Sequence, residues 1–221
     1  MAPHVERFFW IWNHLRTVGN EYRYVTVTDT RDVVFQQDPT PFLEDVCQHK
    51  PLVVSSEGLL YKDEPWGHSN LLNTFGPFFQ KVFEEVEICN VGVIAGRNSY
   101  VRDMMLMIFQ LSLGRPVSVT DQAVFNYMIN IQPYAHETVM TSVNDSWAVQ
   151  LGTTQAALDA GNGDIGRDEE AKAKYKEAFI GFQPVIENGE VFNASGEKFI
   201  IVHQWDRIPT LMTEVESRYG S

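Results

Sequence analysis

The sequence predicts an α/β fold of three layers, with helices on either face of a central sheet. Three observations carry this. Segments rich in β-branched residues alternate with segments whose apolar residues recur at helical spacing. At 221 residues, 44% apolar and 12% aromatic, the chain is long and apolar enough for one domain with one large core. Near the C-terminus, Asn188-Gly189 sits between short β-prone segments and signals a small antiparallel element.

The elements follow in order. Val5, Phe8, Phe9, Trp12 and Leu15 give an opening helix, which Gly19 and Asn20 stop. Tyr22 to Thr28 is a buried strand leading into acidic positions. A short helix from Pro41 to Gln48 precedes the strand Pro51 to Ser55, and a helical region runs from Trp66 to about Phe83. Glu87 to Ala95 reads as the next strand. Val101, Met104, Met105, Ile108 and Leu111 form the apolar stripe of the helix after it, with the methionines as core. Val124, Tyr127, Met128 and Ile131 mark another helix, whose first turn holds Thr120, Asp121 and Gln122. Thr138 to Val143 and Trp147 to Leu151 are short and β-prone. Ala160 to Glu177 is a surface loop followed by an exposed, charged helix. Gln183 to Ile186, Glu190 to Asn193 and Lys198 to His203 form the small antiparallel set, and Ile208, Leu211, Met212 and Val215 define a last helix.

Composition limits the function. With 17 basic against 29 acidic residues the formal charge is −12, which gives no general attraction for nucleic acid or an anionic membrane. An anionic protein that handles phosphates needs placed cationic side chains or a divalent ion. The apolar runs are short, so no membrane insertion is expected. Cys47 and Cys89 fit neither zinc spacing nor a disulfide framework and read as buried free thiols. The expectation is a soluble domain, cytoplasmic first and lumenal in a secretory-pathway enzyme second.

Val25 to Pro39, VTVTDTRDVVFQQDP, spends an apolar strand on delivering Asp29, Arg31 and Asp32 to one turn. Carboxylates so placed can hold a hard cation that keeps positions open for phosphate oxygens, with Arg31 adding charge; an Asx-type turn of Asp29 and Asp32, with Arg31 paired to one of the two, is the alternative. FIIVHQWDR, Phe199 to Arg207, ends a buried-looking strand in His203 and then Trp205, a metal ligand or a hydrogen-bonded core histidine. Asp121 and Gln122 are chemical candidates or part of a helix cap. Asn90, Gly92 and Gly96 let a ligand approach closely or mark a bulge. Glu57, just after PLVVSS, defaults to a cap or a surface position.

The order of these motifs resembles the nucleotide-sugar-dependent glycosyltransferases of the GT-A fold. Asp29, Asp32, Val33, Val34, Phe35, Asp38 and Pro39 look like the family's Asp-x-Asp element in its D-x-R-D-V-x-F-Q form, with two residues instead of one between the aspartates. CNVGVIAG resembles the Asn-x-Gly strand, TDQAVFN the Asp-Gln-x-x-x-Asn helix start, and VHQWDR the late histidine segment. The resemblance spans about Arg7 to Arg207.

It implies one GT-A-like domain over residues 1–221, a three-layer α/β/α sandwich with a mixed central sheet, without the family's leading nucleotide-binding strand. It also implies metal-dependent transfer of a sugar from a nucleotide-diphosphate sugar, UDP favoured, to a hydroxyl of a glycan or glycoconjugate, with retention favoured. Asp29, Asp32 and His203 would hold Mn2+ or Mg2+, and Arg31 would meet phosphate. Asp121 and Gln122 would lie at the transferred sugar, with Asn90, Gly92, Glu57 and Trp205 toward substrate. Two rival classes remain. A magnesium-dependent phosphohydrolase would need threonine where Val34 stands, and a noncatalytic sugar- or nucleotide-binding module would use aromatic faces such as Trp66, Trp147 and Trp205.

Overall fold

A computed structural model describes residues 2–19, 21–161 and 165–219. Asn20 and positions 162–164 of the expected surface loop lie outside them.

The elements are α1 (Pro3–Val18), β1 (Tyr24–Thr28), β2 (Val33–Phe35), α2 (Thr40–Val46), β3 (Leu52–Leu60), α3 (Pro65–Phe75), α4 (Pro77–Phe83), β4 (Glu87–Arg97), α5 (Asn98–Ser112), α6 (Asp121–Ile129), α7 (Tyr134–Glu137), β5 (Thr138–Thr141), β6 (Ala148–Gln150), α8 (Gln155–Asp159), α9 (Glu169–Ala178), β7 (Val185–Glu187), β8 (Glu190–Phe192), β9 (Ile201–His203) and α10 (Pro209–Tyr219). The fold is α/β with a mixed sheet, as expected. No helix among the described residues is long and apolar enough to cross a membrane, and Cys47 and Cys89 are both free and buried.

The main sheet has the order β1-β4-β3-β5; β4 runs antiparallel to both of its neighbours, and β3 parallel to β5. β4 is central, which explains its unbroken burial from Ile88 to Gly96: both of its faces are covered. On one face Leu52, Val54 and Ile94 meet Phe8 and Leu15 of α1, Met104 and Met105 of α5, and Phe125 and Met128 of α6. On the other face Val53, Val93 and Ala95 pack against Leu43 of α2, Trp147 and Ile201.

Five expectations are corrected. The second face is not covered by helices alone, because a three-stranded sheet, β2-β9-β6, lies there with α2, and α8 and α10 pack behind it. β9 belongs to that sheet, so the C-terminal antiparallel element is the hairpin β7-β8, to which Lys198 adds a single antiparallel bridge at Phe192; Asn188 and Gly189 turn the hairpin with φ of 51° and 74°. β1 is an edge strand, half-buried at every residue rather than buried. β3 runs on to Leu60, so Glu57 lies within the strand instead of after it. The helical region from Trp66 is two helices, parted at Gly76 with Pro77 opening the second.

Candidate active site

The two sheets meet where the chain leaves β1 and enters β2. Asp29 ends the run from the first sheet, with its N–H on the Gly92 carbonyl at 2.9 Å. Asp32 opens the run into the second sheet, where its carbonyl accepts from the Gln204 N–H at 2.7 Å. The two residues between the aspartates are the span from one sheet to the other. Val33 is the register partner of His203 in the β2–β9 pair, so strand pairing alone sets His203 beside Asp32.

His203 Nε2 lies 3.4 Å from Asp29 Oδ2 and 3.7 Å from Asp32 Oδ1. One ligand atom from each of the three residues lies within 4.8 Å of the others. Nε2 is buried and has no hydrogen-bond partner, so the ring presents an unused nitrogen to two carboxylates. Two oxygen donors and one imidazole nitrogen suit Mn2+, and the carboxylates suit Mg2+. Gly92 completes the cradle: a Cβ there would stand 2.5 Å from His203 Cε1 and 2.9 Å from Asp29 Oδ2. The residues fit a divalent ion.

The charges in this corner are mutually dependent. Burial acts to raise the Asp29 carboxyl, but His203 and the Arg7 guanidinium outweigh it and hold the group well below the usual carboxylate range. His203 also lowers Asp32. Burial acts to lower the His203 imidazole, and the two aspartates override that and raise it.

The cluster opens onto a cleft of about 900 Å³. Arg7 of α1 reaches across it, ion-paired through one nitrogen to Asp29 Oδ1 and through the other, at 3.2 Å, to Asp121 Oδ2. Asp121, at the first turn of α6, is 2% exposed; burial raises its carboxyl, and Arg7 and His4 oppose that. Glu57 lies further along, its Oε1 accepting from Asn90 Nδ2 at 2.7 Å and Gln122 Nε2 at 3.2 Å. Burial and then the nearby Glu64 push the Glu57 carboxyl up to about 7. Asn90 Oδ1 turns back onto the Gly92 N–H at 2.7 Å, which shapes the strand beside the cluster.

Gln122 lines the cleft, yet its amide is already committed. Its Oε1 accepts from the Val91 N–H at 2.9 Å and its Nε2 donates to the Cys89 carbonyl at 2.9 Å. Asn126, one turn on, takes the Cys89 N–H and donates to the Cys89 carbonyl, each at 2.8 Å. β1 pairs with β4 only from Val93 onward, and these amides satisfy backbone groups of β4 beyond that point.

The structure therefore brings Asp29, His203, Asp121, Gln122, Asn90 and Glu57 onto one cleft, with Asp32 and Gly92 against Asp29 and His203 at its end, and it does not bring Arg31 or Trp205 there. The Arg31 side chain is 76% exposed and pairs with Asp206 at 3.0 Å, rather than with Asp29 or Asp32 as the turn reading of this segment expected. Trp205 is half-buried against the core behind β9, while its neighbours Gln204 and Arg207 line the cleft. Sequence reasoning passed over Arg7, Glu64, Gln150 and Arg207. Gln150 did leave a signal, a lone amide ending the apolar run Trp147 to Val149, whereas nothing local distinguishes Arg7 from any other charge on an amphipathic helix. No protein-family model matches this chain, and no curated protein matches it either.

Proposed function

We propose that this chain is a metal-dependent glycosyltransferase of the GT-A type. It moves a sugar from a nucleotide-diphosphate sugar, UDP favoured, to a hydroxyl of a glycan or glycoconjugate, with retention favoured. The observation that carries this is the convergence of Asp29, Asp32 and an unpartnered His203 nitrogen at one end of a cleft whose floor holds Asp121, Asn90 and Glu57.

Asp29, Asp32 and His203 would hold Mn2+ or Mg2+, which when bound supplies positive charge against that developing on a departing nucleoside diphosphate. The remaining work belongs to the chain's own residues. Arg207 and Gln204 flank His203 in the cleft, so a guanidinium and an amide face a diphosphate seated at the cluster. Arg7 bridges the two carboxylates, favours the charged form of Asp29 and opposes the burial that raises Asp121. In a retaining reaction a carboxylate facing the sugar stabilises its oxocarbenium character, and Asp121 and Glu57 line the cleft for that role. In an inverting one Asp121 would take the acceptor hydroxyl's proton, and burial, which strengthens its hold on a proton, favours that. The affinity of Gln122 for the strand backbone makes it a support for the floor.

Calorimetric titration with UDP, with and without Mn2+, on wild type and Asp32→Ala tests this. UDP binding that needs both Mn2+ and Asp32 supports it. UDP binding indifferent to the ion, or unchanged in a folded Asp32→Ala protein, refutes it and turns attention to a noncatalytic binding module. Phosphate release from a simple phosphomonoester would favour a phosphohydrolase.

A further inference from the structure

Behind the His203 ring lies a buried side chain that the proposed chemistry does not use. Gln150 ends β6 as the register partner of His203 on the parallel strand β9. Its Oε1 stands 2.6 Å from His203 Nδ1, and its Nε2 donates to Ser55 Oγ on β3 at 2.6 Å. All three residues are 1% exposed or less. An amide so deeply placed must use both of its ends, and here it joins Ser55 to His203 in one line.

The direction of that line matters. With Ser55 taking the amide N–H, the oxygen faces the ring, and an oxygen at Nδ1 calls for an N–H there. The neutral ring then carries its lone pair on Nε2, the nitrogen that faces Asp29 and Asp32. The partner is also an amide rather than a carboxylate. A carboxylate behind a ligating histidine raises its basicity and strengthens its hold on imidazole-preferring metals. A neutral amide orients the ring without doing so.

We infer that Gln150 is a positioning residue of the metal centre, holding His203 in the Nδ1–H tautomer without the added ring basicity of a carboxylate partner, so that the advantage of Zn2+ over Mn2+ at this site stays smaller than a carboxylate there would make it. This rests on the metal-dependent reading above. Because the strand register places Gln150 beside His203, the two side chains act as one unit carried by the β6–β9 pair.

The experiment uses the full chain as wild type, Gln150→Leu, Gln150→Glu and Ser55→Ala. Mn2+ and Zn2+ are titrated calorimetrically, and the imidazole nitrogens are read by 15N NMR in alkaline metal-free buffer, with a His203→Gln spectrum assigning the resonances. The wild type is expected to show the Nδ1–H tautomer at His203. Gln150→Leu should lose that tautomer preference and weaken Mn2+ by about 10- to 100-fold. Gln150→Glu should keep the tautomer and raise the ratio of Zn2+ to Mn2+ affinity, and Ser55→Ala, which frees the amide to turn, should fall between Leu and wild type. A purely structural role for Gln150 would move neither the tautomer nor the metal ratio. Three results would overturn the assignment: the Nε2–H tautomer in wild type, a folded Gln150→Leu protein with wild-type Mn2+ affinity, or a Gln150→Glu protein with an unchanged metal ratio. If Gln150→Leu does not fold, the Glu and Ala variants decide on the same readouts. Failure of the wild type to bind either ion overturns the metal reading itself, and this role with it; a reversed tautomer with Mn2+ binding intact overturns only the role of Gln150.

Discussion

Replacing Gly92 by alanine adds one methyl group where the proposed metal site has no room. Gly92 is not among the residues with positive φ, so the backbone itself tolerates the change and the consequence is steric. The new Cβ would lie 2.5 Å from His203 Cε1, 2.8 Å from Asn90 Oδ1 and 2.9 Å from Asp29 Oδ2. Ordinary contact begins at 3.4 Å, so the ring would have to retreat by about 0.9 Å and the Asp29 oxygen by about 0.5 Å. His203 has nowhere to go, being buried with Nδ1 held by Gln150 at 2.6 Å. Metal sites tolerate ligand displacements of about 0.2 Å, so the required shift exceeds what a bound ion can absorb. Folding stability should fall by about 1–3 kcal/mol, the usual cost of overpacking. Mn2+ affinity should fall by at least about 10-fold, as when the support of a metal ligand is disturbed. Urea unfolding measures the first and calorimetric titration the second, with circular dichroism confirming the fold. A folded Gly92→Ala protein that binds Mn2+ as tightly as wild type would show that Asp29 and His203 do not share an ion beside this glycine.

Two further substitutions separate electrostatics from support. The Glu57 carboxyl titrates at about 7 in the fold against an ordinary 4.5. As pH rises through that window the unfolded chain releases the proton first, so Glu57 progressively weakens the fold, and above it by a constant amount of up to about 3 kcal/mol. Glu57→Gln keeps an oxygen for Asn90 and Gln122, so it should gain stability relative to wild type from pH about 4.5 to about 7, and equal urea-midpoint differences at the two ends would refute the shift. Asn126→Leu removes the acceptor of the fully buried Cys89 N–H. It should cost about 1–3 kcal/mol in thermal or urea unfolding while Mn2+ binding stays unchanged, and wild-type stability would show that another group satisfies that N–H.

Much of this architecture was legible along the chain. Helical spacing placed α1, α5, α6 and α10, because an amphipathic stripe records which face is buried. The mostly apolar sequence of β4, interrupted at Asn90, recorded a strand covered on both sides. The aspartate pair and the histidine also stood out, since apolar strands that end in such residues are unusual. Glu57 was misplaced because β3 keeps running past Ser55 through Ser56, Glu57 and Gly58, where periodicity gives no stop or start.

What the sequence by itself determined is therefore local: the alternation of helix and strand, the core faces, and the presence of two aspartates and a histidine at strand ends. Only the tertiary structure decided which of these side chains share a site. The pairing of β9 with β2 and β6 sets His203 against Asp32 and Gln150, although 171 and 53 positions separate them along the chain. Arg7 joins Asp29 to Asp121 across three separate elements. Arg31, which sits beside both aspartates in sequence, turns away to Asp206. Periodicity reports the face a residue presents to the core, but the register between strands distant in sequence is fixed by packing summed over the whole domain, and that register is what assembles the charges.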